Sequence, residues 1–375
     1  MMQISVKTLR AALKAVGTVV EKRATVPILT HVLIRSTPGQ MMLTATDLEL
    51  MVDKTVDLED AGSNSAMRFC VDADTIKSIA AKLPSEGVAS IEADDGNNAI
   101  IVKCGRSRFK LPTLPTDDFP MISVGGWDAE WEQDASALTA MIESVRFAIS
   151  TEETRYYLNG IYLHVPGASD CQFAAATDGT RLARFHCDVP DGAGGMAGII
   201  LPRKAVKALS DLIDEEGGTV AVAVGDKKFR FEVGSTVLTG KAIDGTFPDY
   251  TRVIPTDNRI DAWFEPAVLA EAVDRVLTIS SDKSRAITLE FTEGQVALRV
   301  VSPEHGIASE DVPIDLSGGP VTIGFNGRFL LDMLDRLKGA EGARARVLLA
   351  DGAAPTLWQQ SDEARALYVL MPMRV

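Results

Sequence analysis

Ser5-Val-Lys-Thr-Leu-Arg-Ala-Ala-Leu-Lys-Ala-Val16 carries a pattern that returns along the whole chain. Leu9, Leu13 and Val16 fall on one side of a helix, and Lys7, Arg10 and Lys14 fall on another, with no acidic residue among them. One face demands a core, and the other presents positive charge to an anion. A solvated surface helix accounts for one such stretch. Here the pattern recurs. Helix openings fall near Lys7, Ser136 and Ala267, spaced by 129 and 131 residues, and a second set near Asp74, Lys204 and Arg328, spaced by 130 and 124. Two interleaved sets at one long period mean three copies of one domain.

Local chemistry supports these starts. Asp74 is expected to cap its own helix, Pro202 and Pro266 suit a first turn, and Asn326 is placed to accept the free amides ahead of Arg328. Each second-set helix is followed by strand, turn and strand, the turns being Asp95-Gly96, Gly225-Asp226 and Asp351-Gly352. In the middle copy Val220, Val222 and Val224 alternate with small residues, and Phe229, Phe231 and Val233 alternate with Arg230 and Glu232, which is a half-buried hairpin. Similar alternation is read at Leu48, Leu50 and Val52, and at Leu289 and Phe291. Phe119-Pro120 and Phe247-Pro248 precede loops at Gly125-Gly126 and Pro255–Asn258, which divide the chain into 1–126, 127–256 and 257–375. Each third is an α+β unit with two helices backed by antiparallel sheet, and threefold repetition favours an arc or ring.

The chain has 375 residues, 46% hydrophobic and 24% charged, enough for several cores. Its net charge of −14 argues against a polyanionic partner only if it is evenly spread. Over residues 7–16, 74–83, 136–149, 203–213, 267–279 and 327–338 there are 13 basic and 7 acidic residues, so the remainder of the chain holds −20. Lys7, Arg10, Lys14, Arg203, Lys204 and Lys207 carry most of that excess, with Lys77 on the second helix beside them. A duplex would be drawn to such a helical face and repelled elsewhere.

Catalytic and metal signatures fail one by one. Cys70, Cys104, Cys171 and Cys187 form no C-x-x-C pair and read as reduced cytosolic thiols, and the four histidines have no ligand spacing. Gly192–Ala197 fits a GxGxxA pattern but is followed by strand-like Ile199–Leu201, and Gly234 to Gly240-Lys241 has one residue too many for a P-loop. Asp47 and Asp178 recur in the sequence Ala-Thr-Asp; repetition in two copies points to a turn rather than to catalysis. No metal and no cofactor is expected, and no apolar run reaches the length of a membrane span.

Arg155–Gly160 (RYYLNG), Ala176–Ala183 (ATDGTRLA), Leu201–Lys204 (LPRK), Phe247–Tyr250 (FPDY), Ile323–Asn326 (IGFN) and Tyr368–Val375 (YVLMPMRV) together closely resemble the β subunits of bacterial DNA polymerase III, the sliding clamps. Gly105–Phe109 and Thr46–Glu49 extend the resemblance into the first third. It implies a crescent of three clamp domains that closes head to tail, first domain to third, into a dimeric ring around duplex DNA. Such a ring is cytoplasmic and not an enzyme. It confers processivity by tethering the polymerase III alpha subunit, and it also meets the clamp loader and other polymerases and repair proteins through short linear motifs. Hold on DNA then comes from topology, and phosphate contacts without base readout let the ring slide.

The same resemblance implies two sets of residues. DNA contacts fall on Arg23, Tyr156 and Tyr157 beside the basic helices. A peptide pocket is formed by Leu158, Thr177, Gly179, Thr180, Arg181 and Leu182, then Pro248, Arg252 and Val253, then Asn326, Phe329, Val369, Leu370, Met371, Pro372, Met373 and Arg374. An apolar pocket rimmed by arginines suits aliphatic and aromatic anchors with a polar or acidic flank. Thr180 stands where some relatives have His, Ser284 where some have an aromatic, and Phe329 where Tyr is frequent. Two rivals remain: a peptide-binding scaffold of this fold without DNA encirclement, and a hydrolase using Asp47 or Asp178.

Overall fold

A computed structural model describes residues 1–21, 23–58, 66–94, 98–123, 125–167, 169–280, 285–340 and 342–374. Among them the six expected helices form: α1 (Val6–Val16), α2 (Ala73–Lys82), α3 (Ala135–Val145), α4 (Arg203–Glu216), α5 (Pro266–Leu277) and α6 (Gly327–Leu337). In α1, Leu9, Leu13 and Val16 are buried while Lys7 and Lys14 are exposed, as amphipathic spacing requires. Capping differs in detail from the sequence reading. The cap of α2 is Asp72, whose carboxylate accepts the Thr75 amide, and Asp74 sits in the first turn. Pro266 opens α5, but Pro202 ends the strand Ile199–Pro202, and Asn326 caps α6 by accepting from Arg328 and Phe329.

The chain packs as two compact units. The first comprises Met1–Thr139, Pro190–Ile199 and Lys204–Ala242, and is built on a twelve-stranded sheet. That sheet continues from the first repeat into the second where Leu50–Asp57 pairs antiparallel with Thr236–Lys241, from Leu50 opposite Gly240 to Lys54 opposite Thr236. The second unit comprises Ala140–Val189, Ile200–Arg203 and Ile243–Val375. Its nine-stranded sheet makes the equivalent join from second repeat to third, where Arg181–Asp188 pairs with Ala366–Leu370. A separate four-stranded sheet carries Gly306–Pro313 at one edge and Val321–Asn326 at the other. The second repeat is thus shared between the two units because each of its halves extends a neighbour's sheet.

Burial follows the strand pattern. The hairpin of Thr219–Gly225 and Lys228–Val233 buries Val220, Val222, Val224, Phe229, Phe231 and Val233, as expected, but its turn is Asp226-Lys227, one residue later than read. Asp351-Gly352 lies in a longer loop, where Asp351 accepts from Ala353 and Ala354. Asp95-Gly96 and Ser284 lie outside the described residues. Leu48 is a correction: it is exposed at φ 78° and belongs to a turn, with the strand starting at Leu50. In the second unit Trp358, Tyr368, Phe264, Phe291 and Phe325 form the largest fully buried side chains.

Candidate functional site

The second unit gathers most of the expected pocket. Strands Cys171–Thr177 and Arg181–Asp188 are joined by a turn that builds itself from its own side chains. Thr177 Oγ1 donates to Arg181 O (2.7 Å) and accepts from the Gly179 amide, while Asp178 Oδ1 accepts from the Thr180 amide, the Thr180 hydroxyl and the Arg181 amide. In the first unit Thr46 and Asp47 form the same turn, Thr46 Oγ1 donating to Leu50 O and Asp47 Oδ1 accepting from Glu49 and Leu50. Both aspartates are therefore turn formers, as their repetition suggested, and the hydrolase reading loses its carboxylates.

Arg181 lies beneath this turn with its side chain only 10% exposed. Its guanidinium carbon stands 4.2 Å from the Phe329 ring centroid and 5.2 Å from that of Phe147. Nε donates to Asp178 (3.0 Å) and Nη1 to Asp332 on α6 (2.6 Å). Its charge is matched by two carboxylates, so Arg181 fixes the pocket's shape rather than offering a free cation. Leu158, Leu182 and Val369 join Phe247, Tyr250 and Leu367 in one buried apolar cluster, the floor of the site. Leu370 is buried as well. Around it, Gly179, Thr180, Pro248, Arg252, Val253, Met371 and Arg374 are exposed, and Asn326, Phe329, Pro372 and Met373 are half-buried.

Two features hold the rim. The loop bearing Pro248, Arg252 and Val253 is anchored by Tyr250, whose hydroxyl lies 3.0 Å from His164 Nε2. Burial lowers the His164 pKa to about 4 and raises that of Tyr250 to about 12, so both are neutral near pH 7. After the strand Ala366–Leu370 the terminal segment is held by Met371 N donating to Thr180 O and Met373 N donating to Gly324 O, both at 2.9 Å. Beside it opens a cavity of about 590 Å³ lined by Thr322, Ile323, Gly324, Gly352, Ala353, Pro372, Met373 and Arg374.

Arg155 belongs to the same neighbourhood and was not among the expected pocket residues. It grips Glu152 through Nε and Nη2 at 2.8 and 2.6 Å, and its Nη1 is 2.5 Å from where a Cβ on Gly179 would stand. The signal in the sequence was its place at the head of the Arg155–Gly160 motif. The two tyrosines of that motif part company: Tyr156 is 52% exposed, whereas Tyr157 packs on the apolar cluster.

Of the cations expected to meet DNA, Lys7, Lys14, Arg23, Lys77, Arg203, Lys204 and Lys207 are exposed. Arg10 is half-buried. Its guanidinium turns to the end of α2, donating to Ala80 O (2.7 Å), Ala81 O, Leu83 O and Ser85 Oγ, and so satisfies carbonyls that the helix leaves unpaired. Lys14 pairs with Glu215, Lys204 with Asp47 and Glu21, and Lys207 with Asp211. The hydrogen bond to Glu215 raises the Lys14 pKa. For Lys204, burial opposes charge but the two carboxylates outweigh it.

Charge on the helices is also smaller than the sequence reading held. Over the observed spans there are 11 basic and 10 acidic residues, because α4 continues through Asp214, Glu215 and Glu216 while α3 and α6 stop short of Arg146 and Lys338. What separates the signs is position, since Lys14 and Lys207 stand more open to solvent than their partners Glu215 and Asp211.

Three copies of a helix pair backed by antiparallel sheet, with ion-paired lysines on the helices and a buried apolar cluster beneath an exposed turn, loop and terminal segment on the second unit, define a clamp-type binding protein. Family models match nearly all of the chain in sequence order: the DNA polymerase III beta subunit N-terminal domain over residues 1–123, its central domain over 132–249 and its C-terminal domain over 251–374. A beta sliding clamp from Caulobacter vibrioides is 41% identical over 370 residues, covering 97% of this chain and 98% of the relative. One from Pseudomonas aeruginosa is 35% identical over 363 residues, covering 97% and 96%. Among solved structures, a beta sliding clamp of Caulobacter crescentus superposes with a TM-score of 0.94 at 40% identity, covering 100% of this chain and 99% of the other. A Bartonella birtlesii sliding clamp bound to griselimycin gives 0.94 at 39% identity, with the same coverage. The chain belongs to the DNA polymerase III beta subunit family, the beta sliding clamps. Its three repeats are clamp domains, and the family is an accessory subunit of the polymerase rather than a catalytic one.

Proposed function

We propose that two copies of this chain close head to tail, first domain to third, into a ring that encircles duplex DNA and tethers the polymerase III alpha subunit. The clamp loader and other polymerases and repair proteins would use the same pocket. The domains are taken as 1–126, 127–256 and 257–375, a division supported by the family-model matches at 1–123, 132–249 and 251–374. The ring acts in the cytoplasm, where a bacterial chromosome lies, and no described helix is long and apolar enough to cross a membrane.

Two complementary edges carry this reading. In the first unit, the strand Ser107–Leu114 pairs from Ser107 to Pro112 with Ala99–Cys104 but meets Met67–Asp72 only at Thr113 and Leu114, leaving its first half open on that side among the described residues. That half bears Arg108 and Lys110, and Phe109 lines a cavity of about 430 Å³ with Ile79 and Lys82. In the second unit, Gly306–Pro313 is a sheet edge bearing Glu310 and Asp311, with Val301 and Ile307 more than 60% exposed nearby. An open basic strand with an apolar hollow fits an open acidic strand with apolar side chains; pairing them removes both edges.

DNA contact is assigned to Lys7, Lys14, Arg23, Lys77, Tyr156, Arg203, Lys204 and Lys207, with Arg10 bracing α2 and Tyr157 supporting Tyr156. The peptide site is assigned to the turn Thr177–Arg181, the loop Pro248–Val253, Asn326, Phe329 and Val369–Arg374 over the floor of Leu158 and Leu182, with Arg155 added. Relatives crystallised with griselimycin support a ligand-accepting surface on this fold. The test is solution mass together with retention on circular duplex DNA after loading. A mass near twice the 40.2 kDa of one chain, and retention that ends when the circle is cut, are expected. A single-chain mass, or retention indifferent to cutting, overturns the ring. Peptide binding without any retention would favour the scaffold that does not encircle DNA.

A further inference from the structure

We infer that Glu215 and Asp211 are built-in competitors for Lys14 and Lys207, so that a phosphate contact at either lysine forms only by displacing a carboxylate of the protein itself. The inference rests on the ring reading and concerns how such a ring moves.

The first unit holds the whole arrangement. Residues 14 to 21 run antiparallel to α4, since Lys14 meets Glu215 near the end of that helix while Val19 and Glu21 meet Lys204 at its start. Between them lies a trough of about 270 Å³ lined by Lys14, Thr18, Asp211, Leu212, Asp214 and Glu215. Asp211 thus lies one helical turn from Lys207, and Glu215, one turn further along α4, meets Lys14 across the trough.

Exposure separates two kinds of pair. The Lys14 and Lys207 side chains are 68% and 73% exposed, and their partners Glu215 and Asp211 are 30% and 43% exposed. Both ions of each pair reach water, so the pair is weak and exchanges readily. A phosphate can approach the lysine while the carboxylate stays solvated and ready to retake it. Lys204 is different: its partner Asp47 is 7% exposed and is also the turn former described above, so that pair is held. Lys14 and Lys207 are the exchanging positions.

A lysine shared with its own carboxylate neutralises less of the phosphate it meets, so fewer of the cations condensed on the DNA are released. Removing the competitor restores the release, steepening the dependence of log K on log salt by about 0.9 per freed lysine. It also lengthens the life of each phosphate contact. For a ring held by topology, long-lived contacts are friction, and Glu215 and Asp211 keep them short.

The test compares wild type, Glu215→Gln, Asp211→Asn and the double variant, each loaded on stretched duplex DNA and tracked by single-molecule fluorescence, with bulk salt titrations of duplex binding. Retention on closed circles and peptide binding are expected to be unchanged. One-dimensional diffusion should slow several-fold in the double variant, and its salt slope should steepen by about two. In a Lys14→Gln background, Glu215→Gln should have no effect on either readout. Unchanged diffusion and slope overturn the inference, as does an equal effect of Glu215→Gln with and without Lys14, which would mark a general charge effect. If wild type is retained on circles and only the variants fail to respond, the exchange alone falls. If wild type is not retained, the ring reading falls and takes the exchange with it.

Discussion

Gly179→Ala separates the structure of the pocket turn from its use. Gly179 holds φ 91°, and a Cβ there would stand 2.5 Å from Arg155 Nη1. Backbone strain is bounded by the first repeat, where Leu48 occupies the same turn position at φ 78° with the same threonine and aspartate hydrogen bonds. A side chain is therefore tolerated in that conformation at a cost of about 1 kcal/mol relative to glycine. The steric clash is with the far end of a flexible side chain. Arg155 can swing aside, giving up its two-point grip on Glu152, and that exposed contact contributes little to folding. Total destabilisation should be about 1 kcal/mol, a small part of the ~5–15 kcal/mol typical of a folded domain. Peptide affinity should fall further, by about tenfold, because the displaced guanidinium and the new methyl both stand at the exposed lip between Thr180 and Arg155. Urea unfolding and fluorescence anisotropy with a labelled peptide bearing aliphatic and aromatic anchors measure the two effects. Destabilisation beyond ~3 kcal/mol would refute the equivalence with Leu48, and unchanged affinity would remove Arg155 and the turn from the site.

Arg181→Met should destabilise the second unit by ~2 kcal/mol, through loss of two cation–π contacts and of the partner of Asp332, with thioether packing between Phe147 and Phe329 recovering part of it. Asp178 keeps three other donors, and Asp332 is 38% exposed, so Asp332→Asn should cost less than ~1 kcal/mol; equal shifts in the unfolding midpoint would show that the brace is not centred on Arg181. His164 gives a pH dependence of fixed sign. Its pKa is depressed from 6.5 to about 4 by burial, so the unfolded chain binds the extra proton between those values. The stability it confers is complete above pH 6.5 and is lost as pH falls through 4, amounting to ~2 kcal/mol once its partial exposure to solvent is discounted. His164→Gln lacks that loss, so the stability gap between wild type and variant should narrow from pH 7 to pH 4.5, and a gap independent of pH would contradict the assignment.

Helices were legible wherever one face was buried: α1, α5 and α6 each place leucine or valine at helical spacing against sheet, and that spacing is a property of local sequence. Their ends were less legible because capping depends on which carboxylate turns back, as Asp72 does in place of Asp74. Leu48 reads as strand from the sequence because alternating apolar residues look alike in a strand and in a turn entering one; only the bonds of Thr46 and Asp47 show the difference. The length of α4 was hidden for a tertiary reason. Its last three residues are all acidic, yet Glu216 accepts from Lys54 and Thr236 on two strands of the neighbouring sheet. The continuous sheets were beyond local reading altogether, since Leu50–Asp57 and Thr236–Lys241 meet across most of two repeats. For the site, the motifs located the turn, the loop and the terminal segment. The use of Arg10, Arg155 and Arg181 could not be read, because an arginine in sequence looks the same whether it faces solvent, a helix end or two rings.

A near balance of charge on the helices changes what attracts DNA. With 11 basic and 10 acidic residues on the observed helices, net charge cannot distinguish these surfaces strongly from their surroundings. Height above the surface can. In the exposed pairs of the first unit the lysine stands more open to solvent than its carboxylate, 68% against 30% for Lys14 and Glu215, and 73% against 43% for Lys207 and Asp211. At a Debye length of about 8 Å, a phosphate in contact feels the nearer cation more than the recessed anion, whereas a phosphate a few lengths away feels neither. Attraction is therefore confined to contact range, and the overall charge of −14 keeps other polyanions from accumulating on the rest of the molecule. A protein held on its track by closure needs no more than this: cations close enough to centre the duplex, and carboxylates close enough to release it.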